Sequence, residues 1–228
     1  MKNKTVSKSF IAFSVVYLLI ILSGREDIAW YIKPFLIPFL LYCVYKFEEF
    51  PTKNFLLGAL IFSWIGDIIL MFADKGEVYF IMGLVSFLIA HILFIRLFFR
   101  QKSEKKHSKN PLYWIGFIGV IAYLISMLTL LIPSLGDLKM PVGIYAMTIS
   151  IMLVIALKGS FNWANNAKYI ILIGAVFFVT SDSILSINKF YTVLPYASFW
   201  IMATYLTAQF LITTGILCLN QKNNIPYK

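Results

Sequence analysis

Residues 62–72 read "FSWIGDIILMF", an apolar stretch with Asp67 set inside it and hydrophobic side chains on both sides. Whether this is part of a membrane span or of a soluble core decides the fold, and composition decides between the two. Of the 228 residues 60% are hydrophobic and only 13% charged, with a mean hydropathy of +0.82. A soluble domain has roughly 45–50% apolar and 25% charged residues. The chain is therefore an integral membrane protein, and Asp67 is a carboxylate in oil.

Working outward from this stretch, apolar runs of about 17–25 residues bounded by charge, Pro or Gly mark helices that can cross hydrocarbon. Eight such runs are found, at 9–23, 29–46, 54–72, 77–99, 111–132, 140–157, 167–187 and 195–219. Their connections are too short for a separate domain. The pattern predicts an all-α polytopic bundle of eight transmembrane helices forming one integral membrane domain over residues 1–228. The first run has a basic start, but "LLIILSGREDIAW" (18–30) passes through a charged turn into the next span without a small-residue cleavage site, so it reads as retained.

The formal net charge of +10 comes without a basic stripe interleaved with aromatics, so nucleic acid is not implied as a partner. Orientation accounts for the charge better. Fifteen of the 20 Lys and Arg residues fall on the side of the N-terminus; the other five are Arg25, Lys33, Lys75, Lys139 and Lys189. Because Lys and Arg are held on the cytoplasmic side, both termini are expected there. The basic loop "RQKSEKKHSKN" (100–110) then reads as a topology signal and a contact for anionic lipids. Cys43 and Cys218 fall near cytoplasmic span ends and suggest neither a disulfide framework nor a metal motif. Lys-, Ile- and Asn-rich usage points to a bacterial source, hence the inner membrane with the polar site toward the periplasmic leaflet; in a eukaryote an endomembrane would be expected.

An Asp near a span centre costs roughly 2.5–3.5 kcal/mol on insertion scales, less toward the interface, so it is kept for function or for a specific hydrogen bond. Asp67 also has a counterpart. "VTSDSILSINKF" (179–190) puts Asp182 at the corresponding depth of the seventh run. Helical spacing places Ala59, Ser63, Gly66 and Asp67 on one small, polar face and Ala175, Asp182 and Ser186 on another, as faces turned into a bundle are. "GDIIL" (66–70) is followed by "FLIAHILF" (87–94), and "SDSIL" (181–185) by "YLTAQFLI" (205–212). This reads as an internal 4+4 duplication over approximately 1–100 and 111–219. Four spans is an even number, so both halves share one orientation and both carboxylates face one cavity from the same leaflet.

"KP" at 33–34, "GALIFSWIGDIILMF" at 58–72, "FIMGLVSFLIAHILF" at 80–94, "GAVFFVTSDSILSINKF" at 174–190 and "PYASFWIMATYLTAQFLI" at 195–212 follow in order across nearly the whole chain. In these segments the chain resembles the YhhN-type lysoplasmalogenase family. The resemblance implies an eight-span ether-bond hydrolase that cleaves the vinyl ether of lysoplasmalogen, a lysophospholipid, to a fatty aldehyde and glycerophosphoethanolamine or glycerophosphocholine. Its polar motif residues fall here on Lys33, Asp67, His91, Asp182, Lys189, Tyr205 and Gln209.

The chemistry can be derived beside the resemblance. Vinyl ether hydrolysis begins with protonation of the β-carbon; water captures the resulting oxocarbenium ion, and the hemiacetal collapses to aldehyde and alcohol. No Ser or Cys nucleophile, metal or cofactor is required. A protonated carboxyl and a nearby carboxylate are. Desolvation favours the protonated carboxyl and mutual repulsion keeps one of a close pair protonated, so Asp67 and Asp182 are the expected acid and base, with the roles left open between them.

Each supporting residue also has a plainer reading. The Asp residues would hydrogen-bond across helices; Lys33 would bind phosphate, pair with an Asp, or snorkel to the interface. His91 lies deeper than the Asp pair and reads better as packed and hydrogen-bonded than as catalytic. Tyr205 and Gln209, on one face with Ser198 and Met202, would orient a carboxylate or water. Lys189 suits phosphate contact or plain solvation, and the other aromatics are assigned no role. A secondary transporter would use the same repeats and buried Asp pair, moving a small molecule or lipid without forming product. An intramembrane aspartyl protease fits poorly, since Trp64 stands where Gly-x-Gly-Asp needs glycine and Ser181 rather than Tyr precedes Asp182. No Gly-x-Ser-x-Gly appears, and two scattered His cannot make a zinc site.

Overall fold

The computed structural model describes residues 2–103, 111–163 and 165–221, with side chains from residue 8 onward. The basic loop beyond Ser103, Lys222, Lys228 and the side chains of Lys2 and Lys4 lie outside the described residues. The described residues form α1 (Lys2–Leu22), α2 (Glu26–Ile32), α3 (Leu36–Tyr45), α4 (Lys53–Leu70), α5 (Glu77–Phe99), α6 (Pro111–Leu131), α7 (Lys139–Asn162), α8 (Ala167–Phe190) and α9 (Ala197–Leu219), with no strand among them. Seven helical segments are long and apolar enough to cross a membrane: α2 with α3 as Glu26–Tyr45, α4, α5, Pro111–Ser134, Gly136–Asn162, α8 and α9. The first expected run falls on a shorter apolar stretch of α1, Lys8–Leu22. The chain is an all-helical, multi-pass membrane protein.

Helices extend beyond the expected runs at several ends, with α1 starting at Lys2 and α2 at Glu26, and at two of these ends the physical reason is plain. α7 continues past 157 to Asn162 and α8 past 187 to Phe190. Lys158, Asn188 and Lys189 mark where hydrocarbon ends, but a helix satisfies its own backbone and runs on into the polar layer. The second span is also broken rather than continuous. A 3-10 turn, Lys33–Phe35, separates α2 from α3. Pro34 has no N–H for the preceding turn, and Pro38 cannot donate to the Pro34 carbonyl four residues before it. The Trp64 indole supplies the missing donor, its Nε1 reaching the Pro34 carbonyl oxygen at 2.7 Å.

The most extensive helix packing is α8 on α9 and α4 on α5. Glycines bring these pairs close. A Cβ at Gly66 would stand 2.7 Å from the Phe87 ring, and one at Gly174 2.9 Å from the Ile212 backbone nitrogen. The outward faces are apolar, with Ile115, Ile118, Ile121 and Ile125 of α6 all exposed. A soluble bundle would be polar there.

Both ends of the bundle are identified by contacts. At one end Gln101 Nε2 donates to Thr52 Oγ1 at 2.9 Å, and Asn220 Nδ2 donates to Gln101 Oε1 at 2.9 Å. There the buried Lys53 ammonium is satisfied by the carbonyls of Tyr45 and Phe47 and by Glu49 Oε1. At the other end Glu26, Met71, Ala73, Asp74 and Lys189 border one cavity, and Leu138 joins Gly76 and Phe190 around a second, adjoining hollow. This second end is the mouth.

Candidate active site

The cavity has a volume of about 350 Å³ and penetrates between α1, α2, α4, α5, α8 and α9. Its walls are largely apolar, including Ile21, Leu70, Phe80, Phe87, Leu185 and Ile201, and both Asp67 and Asp182 open into it. Asp67 is three residues from the end of α4 and Asp182 eight from the end of α8. At 1.5 Å of rise per residue these are depths of about 5 and about 12 Å below the helix ends. The two carboxylates line the one cavity from α4 and α8. Asp67 is 6% exposed, and the Asp182 side chain 13%.

Each carboxylate is held by its own tyrosine. Tyr205 of α9 donates its hydroxyl to Asp67 Oδ2 at 2.7 Å, and Tyr145 of α7 donates to Asp182 Oδ2 at 2.5 Å. Both phenols are fixed from behind by rings. Tyr205 meets Phe87 and Phe178 edge to face, with centroids 5.9 and 5.6 Å apart, and His91 meets Phe178 and Tyr145 at 4.7 and 5.3 Å. Such edge-to-face pairs constrain orientation as well as burying area. Ser181, beside Asp182, donates to the Ile201 carbonyl at 3.0 Å and ties α8 to α9 at the cavity wall.

Lys33 lines the same cavity, and its charge acts on Asp67 by Coulomb attraction. Lys33 follows α2 at helical spacing from Glu26 and Trp30, which line the cavity too. Lys189 lies farther out, exposed, with its ammonium 5.3 Å from the centre of the Phe80 ring. Of the seven residues singled out in the sequence, Lys33, Asp67, Asp182, Lys189 and Tyr205 therefore line one cavity, together with Ser198 and Met202. His91 and Gln209 do not line it. Both are fully buried, and His91 Nε2 stands 3.8 Å from Asp182 Oδ2, too far for a hydrogen bond. His91 acts as a packed ring behind Tyr145. Gln209 sits one turn inward of Tyr205, and its buried amide has no hydrogen-bond partner among the described residues.

Tyr145 was not singled out from the sequence. Its signal was present in "GIYAMTIS" (143–150), a tyrosine among small residues and six positions into its helix, deeper than the interfacial belt where Tyr is usual. Glu26, Trp30 and Asp74 at the mouth were also missed, because their chain positions are remote and only the fold gathers them. Among the described residues no cluster of His, Cys, Asp or Glu is arranged to hold a metal ion.

A carboxylate pair in an apolar, lipid-depth cavity is the feature on which comparison with known proteins bears. The YhhN family model matches residues 28–216. The chain belongs to the YhhN family. It is 30% identical over 171 residues to human lysoplasmalogenase TMEM86A, a match covering 71% of this chain and 65% of that protein. The bovine lysoplasmalogenase TMEM86A is 31% identical over 172 residues, covering 71% and 65%. A lysoplasmalogenase of Mycobacterium tuberculosis is 29% identical over 168 residues, covering 72% of this chain and 60% of that protein. The chain thus spans slightly less than two thirds of the length of these relatives. No solved structure matches it.

Proposed function

We propose that this YhhN-family protein is a lysoplasmalogenase, hydrolysing the vinyl ether of a lysophospholipid to a fatty aldehyde and a glycerophospho-ethanolamine or -choline. The observation that carries the proposal is the meeting of Asp67 and Asp182, from helices far apart in sequence, in one apolar cavity with a tyrosine on each. The names of the relatives point to the same reaction.

In this reading Asp182, whose polar neighbours are a phenol and an imidazole, delivers a proton to the β-carbon of the vinyl ether. Asp67, beside the Lys33 ammonium, carries the negative charge that stabilises the oxocarbenium ion and accepts a proton from the attacking water. The water oxygen bonds to the α-carbon, giving a hemiacetal. Asp67 returns its proton to the glycerol oxygen as the carbon–oxygen bond breaks, and the hemiacetal hydroxyl gives its proton to Asp182, releasing aldehyde and alcohol. One water is consumed and both carboxyls regain their starting states. General acid–base steps of this kind supply about 10²–10⁴-fold each.

The wider architecture in this reading is one domain of eight spans, with α1 as the eighth, built as two four-span halves. Support comes from the equivalent placement of the two most extensively packed helix pairs, α4 with α5 and α8 with α9. Both termini are cytoplasmic by the distribution of Lys and Arg, and in a bacterium the mouth opens to the periplasmic leaflet of the inner membrane.

The test is aldehyde release from lysoplasmenylethanolamine by purified protein in detergent, with folded Asp67→Asn and Asp182→Asn variants beside it. Aldehyde from wild type and its loss in both variants is the expected result. No aldehyde from folded wild type, or full activity in both variants, overturns the proposal.

A further inference from the structure

Three helices bring a polar residue to the cavity wall, and each carries a second one a turn further in. Tyr17 of α1, Asp67 of α4 and Tyr205 of α9 line the cavity. α1 and α4 run toward the mouth and α9 runs away from it. The residues one turn inward on the same helix faces are therefore Ser14, Ser63 and Gln209, three or four positions from the first set. None of these three lines the cavity. Ser14 is 7% exposed, and the other two are fully buried.

Packing draws the three faces together. The hydrogen bond from Tyr205 to Asp67 joins α9 to α4. Phe10, one turn inward of Ser14, stacks on Phe210, the neighbour of Gln209, with ring centroids 5.8 Å apart, which joins α1 to α9. Yet Ser14 Oγ, Ser63 Oγ and both amide atoms of Gln209 have no hydrogen-bond partner among the described residues. Burying a hydroxyl or an amide without a partner is costly, and an apolar side chain of similar size would be tolerated better at each place. Internal water meets buried polar groups of this kind, making about three hydrogen bonds to them. Two hydroxyls and a primary amide offer it both donors and acceptors. The hydrolysis proposed above needs such a water beside Asp67 while the lipid occupies the cavity. Tyr205 takes Oδ2 of that carboxylate, which leaves Oδ1 to receive a proton.

We propose that Ser14, Ser63 and Gln209 form a water-binding layer behind Asp67 that supplies the hydrolytic water from the interior side, opposite the lipid. The oxygen of this water bonds to the α-carbon and one of its protons passes to Asp67, as in the scheme above. The three side chains hold the water and touch no reacting atom of the lipid, so they are positioning residues. The water site stands on the buried polar groups themselves, whereas its hydrolytic use rests on the lysoplasmalogenase reading.

Kinetics of the full chain in detergent and an experimental structure that resolves solvent test the two parts. Gln209→Met keeps the volume and Ser63→Ala removes a single oxygen. Each should lower kcat for aldehyde release about tenfold, the scale of one hydrogen bond. The melting temperature and the affinity for a saturated 1-alkyl lysophospholipid, which has no vinyl ether to hydrolyse, should stay at wild-type values. In the structure a water should bond both Gln209 and Ser63. Full kcat in the Ser63→Ala, Gln209→Met double variant overturns the proposal. So does a loss of kcat matched by a lower melting temperature or weaker lipid binding, which is what a packing role produces. A structure in which these side chains bond one another or backbone carbonyls, with no water between them, overturns it as well. Water in the layer of a folded protein that releases no aldehyde would keep the site and remove its hydrolytic use together with the lysoplasmalogenase reading.

Discussion

The α2–α3 span and α7 occupy corresponding places in the proposed four-plus-four arrangement, and they serve their carboxylates differently. α7 has its proline, Pro141, in the first turn, where the missing N–H was unpaired in any case, and it runs unbroken to Asn162. From it Tyr145 reaches Asp182. The α2–α3 span has its prolines inside, at 34 and 38, and breaks at Lys33–Phe35. At that break Lys33 lines the cavity with Asp67, whose tyrosine comes instead from α9. The second half thus supplies the phenols of both carboxylates, and the first half supplies a lysine to the cavity. Duplication would make the two Asp residues alike; a single broken span makes them different, and an acid–base pair requires difference.

Loss of either carboxyl should produce the largest effect. Asp182→Asn removes the proposed proton donor and Asp67→Asn the charge and base, each lowering kcat for aldehyde release by about 10²–10⁴-fold. The comparison predicts unequal losses. Single-turnover kinetics should show Asp182→Asn slowing protonation, with a larger solvent deuterium isotope effect lost there than in Asp67→Asn. Identical kinetic signatures in the two variants would mean that the environments, though unlike, do not divide the roles.

Next come the tyrosines. A hydrogen bond to a charged group contributes about 1.5–3 kcal/mol, so Tyr205→Phe should cost about 10–100-fold in kcat. Tyr145→Phe should cost less, because Asp182 gives up its proton and is charged for only part of the cycle. Aldehyde release by the two variants, normalised to folded protein, checks this ranking, and the reverse order would exchange the assignments.

Lys33→Met sharpens the same contrast. It should reduce kcat about tenfold in an otherwise wild-type protein and little further in Asp67→Asn, whereas its effect should persist undiminished in Asp182→Asn. A double-mutant cycle measures this directly. Additivity with both Asp variants would mean that Lys33 contacts substrate phosphate alone and has no tie to Asp67.

The sequence made legible what depends on local pattern. Apolar runs of spanning length located the helices to within five residues, except that α1 starts at Lys2 rather than at 9, and the repeated Asp-x-x-Leu context identified Asp67 and Asp182 together. Tyr205 was legible because it lies one turn from Gln209 within the repeated motif. Tyr145 was not, since no repeated motif surrounds it; its one mark among 13 tyrosines is a place six residues into its helix, and its partner shows only when α7 is seen against α8. The break at Pro34 was visible as "KP", but its consequence was not: whether a proline kinks a helix, ends it or is bridged depends on a donor from elsewhere. Here that donor is the Trp64 indole, 30 residues away. Trp64 entered the sequence reading only as evidence against a protease.

That indole permits the mildest test of the comparison. Pro38 leaves the Pro34 carbonyl without its helical donor, and Trp64 Nε1 fills the place at 2.7 Å. Trp64→Phe keeps a ring in the position and removes only the N–H. A buried acceptor stripped of its partner costs about 1–3 kcal/mol. For a chain of 150–250 residues that is a fall in Tm of about 2–12 °C. The loss should also be local. With the turn at Lys33–Phe35 less firmly held, the Lys33 ammonium is less well placed, so kcat should fall by a smaller factor than in Lys33→Met, and by no further factor in the Lys33→Met background. Half of the site would be loosened, with the Tyr145–Asp182 pair on the unbroken α7 unaffected. If Trp64→Phe instead lowered kcat equally with and without Lys33, the break would matter for the shape of the cavity rather than for the cation it admits, and the asymmetry between the carboxylates would need another source.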